Sequence, residues 1–178
     1  MYDIEVIGYA SGEYDLVISV PDGMDMHQYS LLGVNSDAST DDQVRFDSSS
    51  GTLALETEGE AKSYSFECSM TSNGTTTSLL VEDVTQDTGS NYLYTVEDWD
   101  TLDDGSSVKL DCDQDGDGTY DAEIDLQDGM TGADIEDQLD QGSGGDDALF
   151  LIIGIVSVVI IGIVIAVLFV RRKTGPDE

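Results

Sequence analysis

The chain has 178 residues, with 38 acidic side chains against 6 basic ones and a formal net charge of −32. A phosphate-binding surface needs clustered Lys and Arg, so nucleic acid and anionic lipid headgroups are poor partners, and cations are the natural counterpart. The length allows one ordinary domain beside an apolar terminal segment; most of its carboxylates do no more than keep a surface solvated.

The opening stretch, MYDIEVIGYASGEYDL, has no basic region followed by an apolar one and is not a signal peptide. A domain exported ahead of a C-terminal span needs such a leader. Either an earlier part was removed or never included, or the chain is inserted tail-first in the opposite orientation. Residues 2–20 read as a β-hairpin, Tyr2 to Tyr9 and then Tyr14, Leu16, Ile18 and Val20 on one face, with Pro21-Asp22-Gly23 as the stop. Met24 to Val34 is less regular; its His27, with no second His nearby, reads as an ordinary surface residue.

Short alternating runs follow: Val44 and Phe46, then Leu53 and Leu55 beyond the turn at 48–51. The best strand places Tyr64, Phe66, Cys68 and Met70 on one face and Ser63, Ser65, Glu67 and Ser69 on the other. Asn73-Gly74 predicts a tight hairpin turn, and Asn73-Gly74-Thr75 is also a glycosylation acceptor pattern on that tip. Leu79 to Val84, Asn91 to Val96, and Val108, Leu110 and Cys112 supply further strands, as do Tyr120, Ala122, Ile124 and Leu126. About nine short strands with turns every 8 to 12 residues predict an all-β fold, an antiparallel β-sandwich of Ig-like or jelly-roll-like form, over residues 1–126. Cys68 and Cys112 both fall on inward positions. They form either one disulfide, worth about 4 kcal/mol by loop closure, or two buried free thiols.

From 127 to 147 the composition turns acidic and Gly/Ser-containing, which predicts a stalk, with a helical turn or two between Thr131 and Leu139. Residues 148–170, ALFLIIGIVSVVIIGIVIAVLFV, carry no charge. A helix of that length rises roughly 35 Å and crosses a bilayer. Arg171, Arg172 and Lys173 follow at once, which places 171–178 in the cytoplasm and the N-terminal domain outside the cell. Gly154, Gly162 and Ala166 form a small-residue stripe within the span, suited to helix pairing.

The chemistry-bearing segment is Asp113-Gln114-Asp115-Gly116-Asp117-Gly118-Thr119-Tyr120-Asp121, a D-x-D-x-D-G-x-x-D pattern. Ca²⁺ takes six to eight oxygens at about 2.3–2.6 Å, and alternate side chains of a tight loop converge on one point. Asp113, Asp115, Asp117 and Asp121 offer carboxylates, and Thr119 its carbonyl. A second register begins at Asp111 with Gly116 at the bend; the later one supplies Asp121 at the ninth place. An EF-hand would carry a bidentate Glu where Ile124 stands, so a weaker site, in the range of about 10⁻⁴ to 10⁻³ M, is expected.

This string followed by a strand resembles the calcium loops of β-rich surface proteins such as integrin-type FG-GAP and VCBS repeats. The resemblance covers about a dozen residues, with no second copy of the loop, and implies a structural ion on a secreted β domain. The anchor end resembles the C-terminal tails of bacterial and archaeal surface proteins, with an acidic spacer, a span and a short basic tail. It lacks the L-P-x-T-G and P-G-F motifs, which implies a retained span.

One His, no phosphate loop and no His-based metal motif leave catalysis without a candidate residue. The expectation is a non-enzymatic, single-pass cell-surface module for binding, adhesion or envelope structure, stabilised by Ca²⁺, with other surface proteins or glycans as partners. The alternative is the C-terminal accessory and anchoring part of a larger exported enzyme such as a protease. A third option is a tail-anchored cytoplasmic protein of a salt-adapted cell.

Overall fold

The computed structural model describes residues 1–102 and 107–142. Eleven strands are present among them: β1 (Tyr2–Ile7), β2 (Gly12–Asp22), β3 (Asp25–Ser36), β4 (Asp41–Asp47), β5 (Thr52–Glu58), β6 (Lys62–Ser72), β7 (Thr75–Gln86), β8 (Asn91–Val96), β9 (Val108–Asp113), β10 (Ala122–Asp125) and β11 (Met130–Thr131). A helix, α1 (Gly132–Gly142), follows them. The strands form two sheets, in the orders β1-β4-β5-β8-β9-β10 and β11-β7-β6-β3-β2. Every pair is antiparallel except β11 with β7.

Alternation explains which face each strand buries. Val44 and Phe46 of β4, Tyr92, Tyr94 and Val96 of β8, and Val108, Leu110 and Cys112 of β9 point inward from one sheet. Tyr64, Phe66 and Cys68 of β6 meet them from the other. Aromatic pairs tie the layers: Phe66 stacks on Tyr94 with ring centroids 3.9 Å apart, and Tyr29 meets Phe46 edge-on at 5.2 Å. Such pairs contribute about 0.5–1.5 kcal/mol each beyond the area they bury.

The all-β sandwich expected from the sequence is present. Hairpins alternate between the layers: β2–β3 in one, β4–β5 in the other, then β6–β7 and β8–β9 in the same sequence. β6, β7 and β8 repeat β2, β3 and β4 at an interval of fifty positions, and β9 starts 56 positions after β5. Gly12–Asp22 corresponds to Lys62–Ser72, and Asp25–Ser36 to Thr75–Gln86. The β2–β3 register slips between Tyr14 and Leu16, and the β6–β7 register slips between Tyr64 and Phe66.

Two readings of the N-terminal third are corrected. β1 and β2 are not a hairpin: β1 pairs with β4, and β2 pairs with β3, in opposite layers. Strands facing each other across a core show the same alternation as strands side by side, so periodicity could not separate the two arrangements. The irregular-looking stretch after Gly23 is the twelve-residue β3, whose polar residues Gln28 and Ser30 hydrogen-bond to each other at 3.3 Å.

The compact unit runs from Met1 to Leu139, past the expected domain end at 126. Ile135 and Leu139 of α1 are buried in the core, so residues 127–139 belong to the sandwich and not to a stalk. At the opposite end, β1 and β2 are edge strands that border an open slot lined by Tyr2, Ile4, Val17, Ile18 and Val20. Among the described residues no helix is long and apolar enough to cross a membrane. The span expected at 148–170, its glycine stripe and the basic residues 171–173 lie outside the described residues.

Candidate metal centre

The β9–β10 connection gathers the carboxylates. β9 ends at Asp113, and β10 begins at Ala122 opposite Cys112. The loop between them is held by aspartates accepting from main-chain N–H groups a few residues on, the local geometry these short side chains favour. Asp113 is nearly fully buried, and its two oxygens accept from Gly116 N at 2.8 Å and Gly118 N at 2.9 Å. Asp115 Oδ1 accepts from Asp117 N at 3.2 Å, and Asp117 Oδ1 from Thr119 N at 2.8 Å.

One carboxylate oxygen from each of Asp113, Asp115 and Asp117 lies within 4.8 Å of the other two. Oxygens on opposite sides of a cation bound at about 2.4 Å are separated by about 4.8 Å, so all three reach one hard ion. The cluster can hold a metal. Asp121 stands outside it, its Oδ2 accepting from Gln114 N at 3.0 Å, which closes the base of the loop. Asp111, the start of the alternative register, sits in β9 across from Glu123 of β10. Burial, and then the Glu123 charge, hold its carboxyl above the ordinary carboxylate range.

The other residues singled out from sequence are dispersed. Asn73 is exposed at the β6–β7 turn with a left-handed φ of 50°. His27 stacks on Trp99 with ring centroids 4.2 Å apart and is half-buried, a packing role in place of the surface one expected. Cys68 on β6 and Cys112 on β9 are unpaired, in different sheets, and both fully buried. Of the two states the sequence left open, the structure has the free thiols. Burial pushes each thiol up to about 12.

A second polar cluster had no counterpart in the sequence reading. Lys62 and Asp42 have no exposed side-chain surface, and Lys62 Nζ lies 3.2 Å from Asp42 Oδ2 and 3.0 Å from Glu60 Oε1. The available signal was strand parity, since Lys62 shares its face with Tyr64, Phe66 and Cys68, and Asp42 shares its face with Val44 and Phe46.

No protein-family model, curated protein or solved structure matches this chain.

Proposed function

We propose that the chain is a cell-surface β-sandwich module, held by a single membrane span at 148–170, that acts in binding, adhesion or envelope structure and is rigidified by Ca²⁺ at the β9–β10 loop. The supporting observation is the convergence of Asp113, Asp115 and Asp117 on one point with oxygen donors alone. All-oxygen sets suit Ca²⁺ or Mg²⁺, and a loop whose carboxylates arrive from alternate positions suits the larger, less demanding ion. Asp113, Asp115 and Asp117 hold the ion, with Thr119 and Asp121 as the further ligands the loop pattern implies. A bound ion also offsets the mutual repulsion of these carboxylates, which explains their concentration at one hairpin tip.

Calorimetric titration of the full chain in detergent, after chelator treatment, tests the metal reading. Heat should saturate in the millimolar range of CaCl₂, and a tenfold excess over Kd should stabilise the fold by about 1.4 kcal/mol. Asp115→Asn with Asp117→Asn should abolish both signals. Absence of heat and of any rise in Tm in the unaltered chain at about ten times the weakest expected Kd would sink the calcium assignment. Surface exposure is tested separately: protease added to intact cells should remove residues 1–142 and spare a tag at Glu178.

A further inference from the structure

We propose that Lys62 and Asp42 condense into an isopeptide bond that staples β6 of one sheet to β4 of the other, with Glu60 carrying the proton. The pair is sealed from solvent on both sides, and Lys62 Nζ lies 3.2 Å from Asp42 Oδ2. The amine is held in place by Asn35 O at 3.1 Å, Thr40 Oγ1 at 3.1 Å and Glu60 Oε1 at 3.0 Å. Glu60 is itself only partly exposed and is fixed by the Thr40 hydroxyl, which donates to it at 2.9 Å.

The two oxygens of Asp42 differ in a way that fits the reaction. Oδ2 accepts the Tyr14 phenol at 2.8 Å, whereas Oδ1 is buried without a partner. A donor aimed at one oxygen stabilises the charge that develops there when the carbon is attacked. The unpartnered oxygen is the one free to leave. Burial, the largest influence, holds the Asp42 carboxyl above its ordinary range, which favours the protonated, electrophilic form.

The step balances without any co-reactant. A first proton passes from Lys62 Nζ through Glu60, which accepts from it at 3.0 Å, to Asp42 Oδ1, leaving an amine and a carboxylic acid, and the Nζ lone pair forms a bond to Asp42 Cγ. Glu60 then takes a second proton from Nζ and delivers it to the Oδ1 hydroxyl, the C–Oδ1 bond breaks, the charge on Oδ2 returns as the amide carbonyl, and water leaves. An ammonium and a carboxylate become one amide and one water. In bulk water the hydrated ions are favoured over the amide; in a dry site the ions lose that hydration while the amide loses little. Fixed proximity supplies the effective concentration.

Trypsin digestion of the denatured full chain, followed by mass spectrometry, decides the matter. The unlinked sequence yields 1–45, 46–62 and 63–109. The linked chain should resist cleavage after Lys62 and yield 1–45 joined through Asp42 to 46–109, one water lighter than the sum of the two. Intact mass alone is insufficient, because Asp-Gly steps such as Asp115-Gly116 also lose a water when they cyclise to succinimide. Lys62→Arg keeps the cation and should give only unlinked peptides; Glu60→Gln should raise the unlinked fraction. Complete release of 46–62 and 63–109 from the unaltered chain overturns the proposal.

Discussion

Gly33 and Asp83 stand fifty positions apart and share a left-handed backbone, φ 65° and 55°, at the same bulge of corresponding strands β3 and β7. In the first copy Gly33 N donates to Asp15 Oδ1 at 2.7 Å. In the second the Asp83 carbonyl lies against Gly132 at the start of α1, where a Cβ would come within 1.9 Å of it. An L-residue in this conformation costs about 1–2 kcal/mol, less for Asp. Asp83→Gly should therefore raise stability by about 0.5–1 kcal/mol, and Gly33→Ala should lower it by about 1 kcal/mol, in urea unfolding. Equal effects of one sign would show that the two bulges are not equivalent.

Tyr64 joins the layers through its phenol, which donates to Gln86 Oε1 at 3.0 Å and lies 2.9 Å from Tyr94 Oη. Gln86 Nε2 in turn donates to Leu55 O at 2.7 Å and Ser90 O at 3.1 Å. Tyr64→Phe keeps the ring and strands a buried amide oxygen. Unfolding by urea should show a loss of about 1–3 kcal/mol.

Asp113 supports its loop even without an ion, because both its oxygens hold glycine amides. Asp113→Ala should destabilise the chelator-treated protein by about 1–3 kcal/mol. Asp115→Asn, whose side-chain oxygen can still accept from Asp117 N, should leave metal-free stability nearly unchanged.

Asp134 accepts from both the N–H and the hydroxyl of Thr131, each at 2.8 Å, at the N-terminus of α1. The Thr131 backbone N–H, then its hydroxyl, hold the Asp134 carboxyl below its ordinary value. A depressed folded-state pKa gives stabilisation that is present above the unfolded value of about 3.9 and is lost as pH falls through the folded one. Hydrogen exchange of the Thr131 amide, corrected for the intrinsic pH dependence, should be slow near neutrality and lose its protection only as pH falls below the unfolded value, through the lowered folded one. The same protection at neutral pH in Asp134→Ala would remove Asp134 from this role.

The two cysteines should react with a thiol reagent only after unfolding, at two equivalents per chain. Burial raises both to about 12, so the thiolate is scarce at neutral pH as well as shielded. Rapid labelling of the folded chain would contradict their placement in the core.

Much of the sandwich was legible because most strands bury one face, and Val44 with Phe46 or Tyr64 with Phe66 announce that face by alternation. The partner of each strand was not legible, since β1 and β2 alternate identically whether they lie in one sheet or in two. The fifty-residue repetition was hidden because few side chains are kept, Tyr14 and Tyr64 or Val34 and Val84 among them, while others are exchanged: Asp42 corresponds to Tyr92, and Gly33 to Asp83. The metal loop was read from local spacing, which brings Asp113, Asp115 and Asp117 together but leaves Asp121 closing the loop on Gln114. Lys62 went unnoticed because a cation on an inward position is found only by following parity through a charged residue.

Because hairpins enter the two layers in chain order, β1 and β2 form one extremity of the body and β10 and β11 the other. A pull between those extremities runs across the strands, so main-chain bonds would be loaded row after row and the body would part like a zipper at low force. The covalent tie proposed from β4 to β6 would cross that line of tearing between the second strand of one sheet and the middle strand of the other. The first fifty residues could then peel only as far as the tie, and tension would pass through the backbone into the second half.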